Sequence, residues 1–86
     1  MAQLQLKIYG RVQGVSFRVT IQRGEKNLGL TGLVKNEADG SVFVLAQGDE
    51  EKLQELLISC HKGNKYAQVE KIHAIWSETS ALRNGF

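Results

Sequence analysis

Nine residues, Gly10-Arg11-Val12-Gln13-Gly14-Val15-Ser16-Phe17-Arg18, combine two glycines, two arginines and no acid. They lie between a stretch with strand periodicity and one with helix periodicity. A loop in that position can turn several backbone N–H groups toward one point. The N-terminus of the following helix adds its own unsatisfied N–H groups and partial positive charge. Arg18, at the entry of that helix, offers a forked donor set that stays charged. Together these describe an anion site, with phosphate the best match. Charge is distributed to suit it. The formal net charge is only +2, but residues 1–40 hold six Lys and Arg against three acids, while the remainder holds five against six. A small anionic ligand fits that asymmetry, and the excess is too small to announce a nucleic-acid binder.

The flanking residues define what must hold the loop. Leu4, Leu6 and Ile8 alternate with Gln3, Gln5 and Lys7, which predicts a strand over residues 3–9 with one buried face. Phe17, Ile21 and Leu28, with Gly24 on the same side, have helical spacing. Gly29 then serves as a left-handed cap, and Leu30 makes the accompanying apolar contact. Gly24 inside that helix costs up to ~1 kcal/mol relative to Ala, which a close approach of helix to sheet would explain. Residues 31–36 and 41–47 read as strands joined through Asp39-Gly40 into a hairpin. Val42, Val44 and Ala46 should face the core, with Phe43 and Leu45 on the other face. Asp49 caps a second helix, with Glu50 and Glu51 favourable in its first turn. Its Leu53, Leu56, Leu57 and Cys60 recur at i, i+3, i+4 and i+7, and Gly63 stops it. Residues 67–76 form a fourth strand. Its apolar parity switches between Val69 and Ile72, which predicts a bulge near Glu70-Lys71. Ala81-Leu82 or Phe86 offers a short fifth edge strand.

The resulting order, β-α-β-β-α-β, is the split βαβ arrangement of an α+β protein. Right-handed crossovers place both helices on one face of an antiparallel sheet. The 86 residues suit a single small domain, 1–86, with a modest core. No apolar run approaches the ~18 residues of a membrane span. The opening residues already have a strand pattern and lack a signal-peptide core, so a cytoplasmic location is expected. The one cysteine, Cys60, excludes an internal disulfide, and its apolar stripe predicts a buried thiol. His61 and His73 fall in unrelated elements with no metal-site spacing. Lys35 reads as an exposed strand charge, and Trp76 and Phe43 as packing or sheet-face residues. Arg11 divides evenly between a surface charge and a group that supports the loop or faces its ligand.

The segments Gly10-Arg11-Val12-Gln13-Gly14-Val15, Phe17-Arg18, Leu28-Gly29-Leu30-Thr31-Gly32, Val34-Lys35-Asn36, Asp39-Gly40-Ser41-Val42 and Ala46-Gln47-Gly48 resemble the acylphosphatases. The likeness runs over about residues 4–76, and its GRVQGV-x-FR and K-N-x-x-D-G-S-V pieces are specific in combination. It implies a ferredoxin-like α/β sandwich, in agreement with the element order. It also implies hydrolysis of the carboxyl–phosphate bond of acyl phosphates to carboxylate and inorganic phosphate, without metal or other cofactor. Arg18 takes the place of the family's phosphate-binding arginine, and Asn36 that of the asparagine that orients the attacking water. The stretch Gln13, Gly14, Val15, Ser16, Phe17 would supply N–H groups to the phosphoryl oxygens. The implied partners are a small-molecule acyl phosphate and inorganic phosphate as product or inhibitor, with no nucleic acid or membrane, and the implied state is a monomer.

Several positions depart from the family pattern. Ser16 replaces a large apolar or aromatic residue, Gly24 an alanine and Leu33 an aromatic. Asn64 follows Gly63 where proline is common, and Thr79 to Phe86 matches poorly. None removes Arg18 or Asn36. Two other classes share parts of the pattern. One is a phosphate-binding module without turnover, against which the intact Arg18 and Asn36 argue. The other is an RNA-binding domain of the same strand order, which would carry stacking aromatics on its central strands. Ser41-Val42-Phe43-Val44-Leu45 offers one aromatic and no Arg/Lys-Gly-Phe signature.

Overall fold

Six elements follow in the expected order: β1 (Ala2–Arg11), α1 (Phe17–Asn27), β2 (Thr31–Asn36), β3 (Val42–Gly48), α2 (Glu50–Lys62) and β4 (Gln68–Glu78). The protein, a computed structural model, is described over residues 1–14 and 16–78. The strands form an antiparallel sheet in the order β2-β3-β1-β4. A fifth strand at Ala81-Leu82 or Phe86 would lie outside the described residues. The period-2 reading holds residue by residue. Leu4, Leu6 and Ile8 stand opposite Ala46, Val44 and Val42, and all six are buried. Val34 of β2 joins them. Phe17 and Ile21 from α1 and Leu53, Leu56 and Cys60 from α2 close over the same face in one apolar cluster. Phe43 and Leu45 lie on the outer face, half-buried.

β1 runs further than its alternation predicts, from residue 2 to 11 rather than 3 to 9. β3 pairs with it only as far as Ile8, but β4 continues to hold it through Arg11. Strand ends are set by available partners, which a one-dimensional pattern does not contain. The same pairing carries β4 on to Glu78, opposite Ala2. The bulge falls where the parity switch puts it: Tyr9 pairs with Lys71 and Gly10 with Val69, leaving Glu70 as the extra residue. Gly10 makes the bulge possible. Its φ is +129°, and a Cβ there would drive into the carbonyl oxygen of Gln68.

Both helices end as their glycines predict. Gly29 has φ +72°; its N–H bonds Lys26 O at 3.1 Å, and Leu30 N bonds Glu25 O at 2.9 Å, the paired bonds of a Schellman cap. In that motif the residue after the cap meets an apolar residue on the last turn. Here the partner position is Glu25, which is buried with its Oε2 unpaired. Burial pushes its carboxyl up to about 7. Burial, followed by the nearby Glu25, pushes the Cys60 thiol up to about 12, so Cys60 is an inert core residue. Gly24 does not mark the expected close helix-to-sheet approach: a Cβ there would meet only Leu56 Cδ1 of α2, at an ordinary 3.6 Å, so nothing in the structure requires a glycine.

Gly24→Ala is therefore expected to stabilise the fold by up to ~1 kcal/mol, measured by urea unfolding. Glu25 supplies a pH test. The folded state holds its proton more tightly than the unfolded chain, whose glutamate titrates near 4.5. Stability from this group is full below about 4.5 and lost as pH rises toward about 7. Glu25→Met should flatten that slope and gain about 1 kcal/mol at pH 8, with the advantage shrinking toward pH 4.5 in thermal melts.

Candidate active site

The site forms where β1 ends. Beyond Arg11, Val12 turns inward and is buried. Gly14 follows with φ +75° and Ser16 with φ 60° and ψ 17°, both left-handed. For Ser16 that conformation costs on the order of 1–2 kcal/mol, because its Cβ crowds the backbone. Its side chain caps nothing and is exposed, so it does not pack beneath the loop as the larger residue of the family pattern would. Its carbonyl accepts from Thr20 N at 3.1 Å and Thr20 Oγ1 at 3.0 Å, starting α1. No acid stands in the first turn of α1, so nothing there competes with an incoming anion.

Phe17 is buried and anchors the helix entry in the core, which leaves Arg18 next to it facing solvent. Arg18 makes no ion pair among the described residues. Asn36, the last residue of β2, is also exposed. A cavity of about 210 Å³ lies between these elements, lined by Val12, Gly14, Ser16, Phe17, Arg18, Val19 and Asn36. The fold thus brings together the two side chains singled out from the sequence and three of the loop residues. Val15 is outside the described residues. Among the described residues no three His, Cys, Asp or Glu side chains gather as metal ligands would.

Gln13 does not line that cavity. Its side chain turns the other way, and Nε2 donates to Glu37 O and to Ser41 O, both at 2.8 Å. One amide thereby ties the loop to the β2–β3 turn, immediately beyond Asn36. The turn is further fixed by Glu37 N donating to Ser41 O at 2.8 Å. Asp39 Oδ1 accepts from Ser41 N at 3.0 Å and Ser41 Oγ at 2.5 Å, and its Oδ2 pairs with Lys7 Nζ at 3.1 Å. The Ser41 hydroxyl and N–H, then Lys7, hold the Asp39 carboxyl down to about 2. Lys7 is raised in return, chiefly by Asp39. Nothing in the local sequence signals the role of Gln13, since a polar residue in a loop has no periodicity to violate.

Sheet order, helix placement and a loop at the end of a central strand define a ferredoxin-like α/β sandwich with a candidate phosphate site. The family is shown by comparison. The acylphosphatase family profile matches residues 4–86, and the chain belongs to that family. It is 39% identical over 84 residues to an acylphosphatase of Salinibacter ruber, covering 98% of this chain and 88% of the relative. It is 40% identical over 77 residues to one from Thermococcus kodakarensis, covering 90% and 85%. The crystal structure of acylphosphatase from Bacillus subtilis superposes with a TM-score of 0.90 at 36% identity, covering 94% of this chain and 90% of that one.

Removing the Gln13 amide takes one of two donors from each carbonyl, leaving Ser41 O with Glu37 N and Glu37 O with Gly40 N. Gln13→Ala is expected to cost about 0.5–1.5 kcal/mol in urea unfolding. Amide hydrogen exchange at Glu37 should quicken more than at the centre of β3, since the turn and not the sheet loses its tie.

Proposed function

We propose that this chain hydrolyses the carboxyl–phosphate bond of acyl phosphates in the cavity between Arg18 and Asn36. The observation that carries this reading is that cavity, which a permanent cation and a side-chain amide from different elements line together with the loop. The phosphoryl oxygens sit against the loop N–H groups and the Arg18 guanidinium, which gain strength as negative charge gathers on those oxygens in the transition state. The Asn36 amide holds a water in line with the bond to be broken. Water oxygen bonds to phosphorus as the phosphorus–carboxylate oxygen bond breaks, and a phosphoryl oxygen takes the water proton. The departing carboxylate is stable at neutral pH, so neither a general acid nor a metal is required. The same reading makes residues 1–86 one domain, acting as a cytoplasmic monomer, with inorganic phosphate as product and inhibitor and no nucleic acid or membrane partner.

Hydrolysis of benzoyl phosphate by the parent, Arg18→Ala and Asn36→Ala proteins tests it. The parent should turn over with or without a chelator. Arg18→Ala should lose about 10²–10³-fold in kcat/KM. Asn36→Ala should lose kcat while keeping its affinity for inorganic phosphate. A folded parent that binds phosphate but never turns over would make this a binding module, and full activity in Arg18→Ala would place the chemistry elsewhere.

A further inference from the structure

A second cavity of about 550 Å³ opens beside the first, shares Gly14 and Ser16 with it, and is otherwise lined by Arg11, Lys65, Tyr66 and Gln68. No acid is among these residues, and neither Arg11 nor Lys65 has an ion pair among the described residues. Its walls are built rather than loose. Arg11 and Gln68 face each other on the last rung of the β1–β4 ladder. Between α2 and β4, Asn64 Oδ1 accepts from Tyr66 N at 2.9 Å and Ala67 N at 2.8 Å, which sets the corner that presents Lys65 and Tyr66. Asn64 Nδ2 also reaches Thr20 Oγ1 on α1 at 3.4 Å, tying that corner to the helix of Arg18. Lys65 Nζ stands 5.2 Å from the centroid of the Tyr66 ring, whose residue is 62% exposed.

We propose that this groove receives the acyl part of the substrate and selects acyl phosphates that carry a second anionic group, a carboxylate or a phosphate-like head. This rests on the acyl phosphate reading above. With the phosphoryl group in the smaller cavity, the scissile linkage lies at the wall the two cavities share, and the acyl chain leaves through the larger one. There it meets two cations with no competing carboxylate. A neutral chain gains only the flank of Tyr66, whereas an anionic one gains charge-assisted hydrogen bonds to Arg11 and Lys65. The groove is also far larger than a short neutral acyl group requires.

The test compares butyryl phosphate with two probes of similar chain length, succinyl phosphate and 4-phosphonobutyryl phosphate, in the full-length protein at low ionic strength. The parent should favour at least one anionic probe over butyryl phosphate by about fivefold in kcat/KM, and added salt should erode that preference. Which anionic probe leads tells carboxylate from phosphate-like selection. The preference should collapse in Arg11→Gln and in Lys65→Gln. It should survive in Lys52→Gln, which removes the same charge from α2 beyond the opposite end of the sheet, where Gly48 pairs with Ala2. Equal turnover of all three probes by the parent overturns the proposal and leaves the hydrolase reading standing, as does a preference that Arg11→Gln and Lys65→Gln both retain. A folded parent that hydrolyses none of the three sinks the hydrolase reading itself.

Discussion

β1 is hydrogen-bonded along both edges, to β3 as far as Ile8 and to β4 as far as Arg11, and the difference between those two limits creates the site. Past Ile8 the chain is released on its β3 side but still held on its β4 side, so it bends over the end of the sheet. The bulge at Glu70, which Gly10 accommodates, lets β4 follow that bend. The loop is thus delivered from a strand that cannot shift without moving Leu4, Leu6 and Ile8 out of the core. A one-residue slip would turn all three to the outer face.

Three segments far apart in sequence converge on that end: the loop after β1, the turn after β2 and the corner before β4. Two side-chain amides add directional ties to the apolar packing of Val12 and Phe17. Gln13 joins the first to the second, and Asn64 joins the third to α1. Such ties suit a site exposed to water, where apolar contacts would be incomplete. They are directional, so they hold geometry as well as proximity. Lys7 and Asp39 add a surface ion pair to the same turn, but an exposed pair of this kind, screened by solvent, contributes little.

The architecture was legible in the sequence because it rests on periodicity. Alternation marked β1, helical spacing marked α2, and even the bulge showed itself as a change of parity between Val69 and Ile72. Strand lengths were not legible, because Arg11 and Glu78 belong to strands only through their partners. Arg18 and Asn36 stand out as a pair only through family resemblance; their meeting depends on a helix entry and a strand end that no local pattern relates. The side chains of Gln13 and Asn64 were hidden for a further reason: their roles are defined by carbonyl and N–H groups, which every residue has alike. Glu25 broke the pattern outright, since a carboxyl where an apolar contact belongs is not inferred from its neighbours.

The pairing of β1 with β4 also bears on how the chain is made. Ala2 stands opposite Glu78, so β1 meets one of its two neighbours only after the chain has passed through every other element. At about 5–20 residues per second on the ribosome, β1 waits several seconds with one edge open. β3 arrives earlier and covers the other edge, but the apolar face has no complete roof until α2 has also emerged. Pairings so distant along the chain close slowly even after release, because the loop entropy is lost before the contacts are gained. The fold that holds the site is therefore completed only when β4 joins β1.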